Sequence, residues 1–199
     1  MKYIAFVRQK FGKADFPVFR IEDMKLALAP LKIKNDYLYL LVHNLLRKKE
    51  ITKITKGIYT FHNEAAVVGF AFAPFYYGLE NALSLRGISG QGMNFIVMTT
   101  RNVRRGVRTF QNRNYRIQYM DSKMFFGYDL LEYGAFWIPV SDLEKTVIDM
   151  IYFEGSIRDE LWPEILKTLD MQKLKNHLKR YDAKFARMIL EQISENKSL

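Results

Sequence analysis

Between Leu38 and Phe61 the hydrophobic period of the chain switches from that of a helix to that of a strand. Leu38, Leu41, Val42, Leu45 and Leu46 stand at i, i+3, i+4, i+7 and i+8, which is one face of a helix. A few residues on, Ile51, Lys53 and Thr55 alternate with Thr52, Ile54 and Lys56, and after a single Gly57 the chain resumes as Ile58-Tyr59-Thr60-Phe61. This pattern predicts a helix that runs directly into a short, lysine-bearing two-stranded ribbon. Few small architectures accept that junction.

The preceding residues narrow the choice. Met1 to Lys10 reads as a short helix with Ile4, Phe6 and Val7 on its apolar side. Residues 21–28 read as a second, with Ile21, Met24 and Leu28 at helical spacing, Glu22 and Asp23 near its N-terminus, and Pro30 ending it. Asn35 or Asp36 caps the third, which continues to about Lys49. Three helices followed by a basic ribbon is the order of a winged helix-turn-helix, predicted here over residues 1–62.

Charge points the same way. The net charge of +10 is unevenly spread: residues 1–62 hold 13 Lys+Arg against 5 Asp+Glu, residues 63–138 hold 8 against 5, and residues 139–199 hold 10 against 11. A polyanion is the natural partner of the first third. Opposite its leucine stripe the third helix presents Leu40, His43 and Asn44, with Tyr37 at the side, and these are the candidates for reading base edges. Lys32, Lys34, Arg47, Lys53 and Lys56 are the candidates for neutralising phosphates of double-stranded DNA. The competing reading is a solvated basic surface, with Leu40 and Tyr37 marking a protein–protein patch.

Residues 63–73 read as a linker, and residues 74–199 as a second domain with a small, mostly antiparallel sheet and several helices, so the expected fold class is α+β. Pro74 is expected to open a helix through Arg86 that ends at Gly87. Gly87, Gly90 and Gly92 read as turn residues, because they follow a helix and precede a strand, the reverse of a phosphate cradle. Strands are predicted over 94–100, 115–121, 125–133 (broken near Gly127) and 135–140. Between the first two lie Arg101, Arg104, Arg105, Arg108 and Arg113, a second basic cluster that is either a hairpin tip touching nucleic acid or a charged loop guarding a sheet edge. Ser141 and Glu144 have capping-box spacing ahead of an apolar helix, and residues 157–195 look helical, with Asp170 and Asp182 as internal caps.

No catalytic chemistry is legible. His43, His62 and His177 are scattered, no metal-ligand spacing or nucleophile motif occurs, and no cofactor is implied. The chain has no cysteine, and its longest uncharged run, Ala65–Leu79, is shorter than a membrane span, so a cytoplasmic protein is expected.

Three short segments carry a family resemblance: Lys56-Gly57-Ile58-Tyr59 in the ribbon, Asn81-Ala82-Leu83-Ser84-Leu85-Arg86-Gly87, and Glu144-Lys145-Thr146-Val147-Ile148-Asp149. In this order and spacing, from about residue 5 to about 190, the chain resembles the AbiEi-type antitoxins, the transcriptional-regulator half of abortive-infection, type IV toxin–antitoxin systems. Many relatives carry Ser and His where this chain has Asn81 and Arg86. The resemblance implies an N-terminal DNA-binding domain that represses its own operon. It also implies a C-terminal domain that counteracts a nucleotidyltransferase-like toxin without a stable complex.

Overall fold

Helices α1 (Lys2–Phe11), α2 (Ile21–Leu28) and α3 (Asn35–Arg47) close on one another because each brings apolar residues to one stripe. Val7, Phe11, Met24, Leu28, Leu38, Leu41, Val42 and Leu45 are all buried in a common core. The computed structural model describes residues 2–90 and 94–197, so Gly92 of the expected turn lies outside the described residues. Beside the helices, β3 (Ile58–Thr60) pairs antiparallel with both β1 (Phe19–Arg20) and β2 (Thr52–Thr55). Phe19 ties this small sheet to the helices, stacking on Phe11 at 5.1 Å and on Phe61 at 5.4 Å. The third helix begins at Asn35 with Lys34 in the capping position and no side-chain cap, so neither Asn35 nor Asp36 caps it.

The rest of the chain builds a six-stranded sheet in the order β6-β7-β5-β4-β9-β8 from β4 (Phe75–Tyr77), β5 (Phe95–Thr99), β6 (Gly106–Phe110), β7 (Arg113–Tyr119), β8 (Tyr128–Tyr133) and β9 (Phe136–Ser141). The pairs β4/β5, β6/β7 and β8/β9 are antiparallel, while β5/β7 and β4/β9 are parallel. The fold is α+β, and the sheet is larger and more mixed than the small, mostly antiparallel one expected. Two strands account for the difference. Phe75–Tyr77 lies inside the segment expected to be helical, and its three rings are all buried, Phe75 and Tyr77 in one core and Tyr76 in the other. The helix that follows, α4 (Glu80–Leu85), is correspondingly short. The other strand is β6, inside the arginine-rich stretch.

Helices α4, α5 (Leu143–Glu154), α6 (Trp162–Thr168), α7 (Met171–Leu178) and α8 (Ala183–Lys197) contribute to the core that holds Tyr76, Ile96 and Met98. Asp170 and Asp182 cap α7 and α8 as expected, accepting from the Lys173 and Phe185 amides at 3.1 and 2.9 Å. The opposite face of the sheet corrects the domain boundary. Residues 63–73 are not a tether: Ala65–Phe72 is a 3-10 helical segment whose Ala66, Val67, Val68, Ala71 and Phe72 are buried against Val97, Ile117 and Ile138. Its fit is tight at Gly69, where a Cβ would lie 2.1 Å from the Phe75 ring. Ile54 and Ile58 of the ribbon belong to this same core. Among the described residues no helix is long and apolar enough to cross a membrane.

Candidate nucleic-acid interface

The leucine stripe fixes which face of α3 turns outward. Tyr37, Leu40, His43 and Arg47 are exposed, and Asn44 is half-buried at the edge of the stripe. The Tyr37 ring is partly engaged, meeting Tyr3 of α1 edge-on at 5.8 Å. Tyr39 and Leu40 are 60% and 50% exposed. Lys32 adopts a left-handed conformation at the turn before α3, and Lys34 stands at its start. Lys53 and Lys56 project from the ribbon, which bulges between Lys53 and Thr55 and turns at Gly57, where φ is +75°. Among the described residues none of the side chains of Lys32, Lys34, Arg47, Lys53 and Lys56 has a carboxylate partner.

The second basic cluster is a hairpin, and it leans on the ribbon. β6 and β7 are joined by Gln111 and Asn112, both at positive φ (47° and 62°), as a two-residue hairpin turn requires. The Gln111 amide donates to Asn63 Oδ1 at 2.7 Å and to Thr52 Oγ1 at 3.4 Å. The Arg108 guanidinium donates to Thr55 Oγ1 at 3.4 Å, and the Tyr115 hydroxyl to the Ile54 carbonyl at 3.4 Å. Between ribbon and hairpin lies a concavity of about 230 Å³ into which Lys56, Arg101, Arg104 and Arg108 converge. Arg105 is turned onto the Tyr119 ring instead, 5.2 Å from its centroid, and Arg113 lies at the far end of the hairpin beside Tyr133. The structure thus joins four cations from two segments about fifty residues apart. The sequence showed each group but not their meeting.

A second charged constellation went unread because it is interior. Lys145 and Asp149 stand one turn apart on α5, both fully buried, and the ammonium donates to Asp149 Oδ1. The Tyr76 hydroxyl donates to Asp149 Oδ2 at 2.7 Å. Burial pushes the Asp149 carboxyl and the Tyr76 phenol up and the Lys145 ammonium down, with the Lys145–Asp149 attraction opposing. A Lys-x-x-x-Asp pair inside the apolar run of α5 was the available signal. The cap of α5 is Asp142, not Ser141. Asp142 accepts from the Lys145 amide at 2.7 Å, from His177 Nε2 at 2.9 Å and from Lys173 Nζ at 3.1 Å. Burial raises the Asp142 carboxyl, but these donors together outweigh it and hold it below the usual carboxylate range. Ser141 ends β9 and bonds Thr146 at 2.7 Å, while Glu144 accepts from the Asp170 amide at 2.9 Å.

The remaining segment that carried the resemblance has a structural part as well. Asn81 Oδ1 accepts from the Ile96 amide at 3.3 Å, tying α4 to β5. Arg86 donates to the Ser141 and Val140 carbonyls at 2.6 and 3.1 Å and pairs with Asp129 at 3.1 Å. Among the described residues no group of three or more His, Cys, Asp or Glu could hold a metal ion.

No protein-family model and no curated protein sequence matches the chain. Its fold is similar to that in a crystal structure of the RV2827C protein from Mycobacterium tuberculosis. That likeness has a TM-score of 0.63 and 11% identity, over 100% of this chain and 80% of the other.

Proposed function

We infer that residues 1–62 are a winged helix-turn-helix that binds duplex DNA, with α3 as the recognition helix and β2–β3 as the wing. The element order helix, strand, helix, helix, strand, strand supports this reading. The observation that carries it is the charge balance of the segment, 13 Lys+Arg against 5 Asp+Glu. Arg8, Arg86, Arg116 and Arg158 each meet a carboxylate within 3.1 Å. Among the described residues Arg47, Lys53, Lys56, Arg101, Arg104 and Arg108 meet none, although they flank α3, the ribbon and the hairpin. A local excess of surface cations over carboxylates suits a phosphate backbone.

In this reading the chain is a cytoplasmic repressor of its own operon and, like the AbiEi-type antitoxins it resembles, counteracts a nucleotidyltransferase-like toxin. Tyr37, Leu40, His43 and Asn44 read bases. Lys32, Lys34, Arg47, Lys53 and Lys56 hold phosphates. No catalytic residue or cofactor is assigned. The test is binding of the full chain to the DNA upstream of its own gene, measured by fluorescence anisotropy from about 50 to 200 mM salt. Tight binding that weakens steeply with salt is expected, and a flat salt response would overturn the reading. Growth rescue on co-expression with a neighbouring nucleotidyltransferase-like protein tests the antitoxin part.

A second reading is supported by the exposed Tyr39 and Leu40: α3 as a docking face for a protein. It expects Leu40→Glu to abolish capture of that partner in a chain that never shifts DNA.

A further inference from the structure

The cations in the concavity between ribbon and hairpin are held in a particular way. The Arg108 guanidinium donates to the Arg104 carbonyl at 2.9 Å and to Thr55 Oγ1 at 3.4 Å, and lies 5.3 Å from the centroid of the Phe72 ring. Arg101 donates to the Ala71 carbonyl at 2.9 Å. Each acceptor is neutral. The two forks are therefore oriented without being discharged, unlike Arg8, whose fork is closed by both oxygens of Glu50 at 2.7 Å. Among the described residues the side chains of Arg104 and Lys56 make no hydrogen bond or ion pair at all, and no carboxylate lines the cavity. Phe72, Ile58 and Val103 form an apolar floor beneath the charges, which strengthens any ion pair made above it.

Four positive groups, two of them pre-oriented guanidinium forks, around a small concavity without an acidic residue match the tetrahedral, negatively charged oxygens of a phosphate group. The geometry points to a phosphate-binding pocket formed by Lys56, Arg101, Arg104 and Arg108, which seats a phosphodiester of the duplex outside the track of α3. This assignment of the source rests on the DNA reading above; the phosphate chemistry of the pocket does not. The hairpin then acts as a second clamp on the backbone. The DNA would be held from the sheet domain as well as from the helical one.

Arg104 and Lys56 are the residues to change, because their side chains support no neighbour, whereas losing Arg108 would also remove its stacking on Phe72. The full chain and its Lys56→Gln/Arg104→Gln variant are compared in two ways. In duplex binding, the slope of log K against log salt should become shallower by roughly 0.9 in the variant, for the one phosphate no longer neutralised. In a titration with pyrophosphate, amide resonances of residues 55–58 and 101–108 should shift saturably in the parent chain and not in the variant. Duplex binding with an unchanged slope, together with no saturable pyrophosphate shift, overturns the pocket while leaving the DNA reading intact. Saturable pyrophosphate shifts in a chain that binds no duplex confirm the pocket, assign it to a free phosphate compound and overturn the DNA reading instead. Shifts scattered over the surface without saturation count against the pocket.

Discussion

Lys145 and Arg108 are both cations set against aromatic rings, yet their charges are put to opposite uses. The Lys145 ammonium lies 5.0 Å from the Phe126 centroid and 5.7 Å from that of Tyr76, fully buried and bonded to Asp149. The Arg108 guanidinium lies 5.3 Å from the Phe72 centroid, partly exposed, and is held only by a carbonyl and a hydroxyl. The nature of the acceptor separates them. A cation closed by a carboxylate in the interior has nothing left to offer a ligand and serves the fold. A cation held in place by neutral groups at the surface keeps its charge available.

Removing one partner from the interior site should have the largest effect. Lys145→Ala leaves Asp149 buried without its counter-ion and is predicted to cost about 3–5 kcal/mol in urea unfolding. The triple change Tyr76→Phe/Lys145→Met/Asp149→Leu, which removes every member of the bonded set together, should recover most of that loss. A loss below about 1 kcal/mol for the single variant would show that the pair is not structural.

At the edge of the leucine stripe of α3, Asn44→Ala is predicted to weaken binding to a preferred duplex by about 1–3 kcal/mol, and much less on random DNA. Equal losses on both duplexes would demote Asn44 to positioning the helix.

Asp142 tests the interior site through pH. Its folded carboxyl is held below the unfolded value of about 3.9. Its contribution to stability is therefore fully present above that value and is lost as pH falls through the lower folded one. Asp142→Asn keeps a capping oxygen but lacks the charge. The urea midpoints of variant and parent should differ near neutral pH and draw together as the solution is acidified. Midpoints that stay equally far apart down to about pH 2 would show that the charge of Asp142 is not the source.

The smallest stability change is expected at Lys53. Lys53→Gln should leave the urea midpoint unchanged and make the salt slope of duplex binding shallower by about 0.9. A variant that loses affinity on one sequence only would contradict the phosphate assignment.

The sequence was most legible where one face of an element is buried and the other is wet. The boundaries of α2 and the turn of the ribbon at Gly57 follow from the switch in period, because an amphipathic pattern is imposed by half-burial. Legibility failed where burial is complete. Phe75–Tyr77 is covered on both faces, so its three adjacent aromatics show no alternation and fit a helix as readily as a strand. Ala65–Phe72 looked like a linker for want of periodicity, and periodicity was absent because nearly every side faces protein. β6 was hidden for the opposite reason: Gly106, Val107 and Thr109 are exposed on an edge strand, with the arginines masking the alternation. At the candidate site, residue types and their outward face on α3 were readable. The meeting of Lys56 with Arg101, Arg104 and Arg108 was not, since it depends on a hairpin lying against a ribbon some fifty residues away in sequence.

Ile54 and Ile58 are strand residues of the ribbon that are buried in the core of the large sheet. A ribbon anchored in this way is not a wing on a hinge. The backbones that carry Lys53, Lys56, Arg104 and Arg108 form one plate fixed by this packing, so docking on it would cost side-chain freedom but little backbone entropy. A stiff plate also cannot follow a flexible partner. It selects among surfaces by their curvature, and a polymer that must bend to meet it does so at an elastic cost that depends on its own sequence.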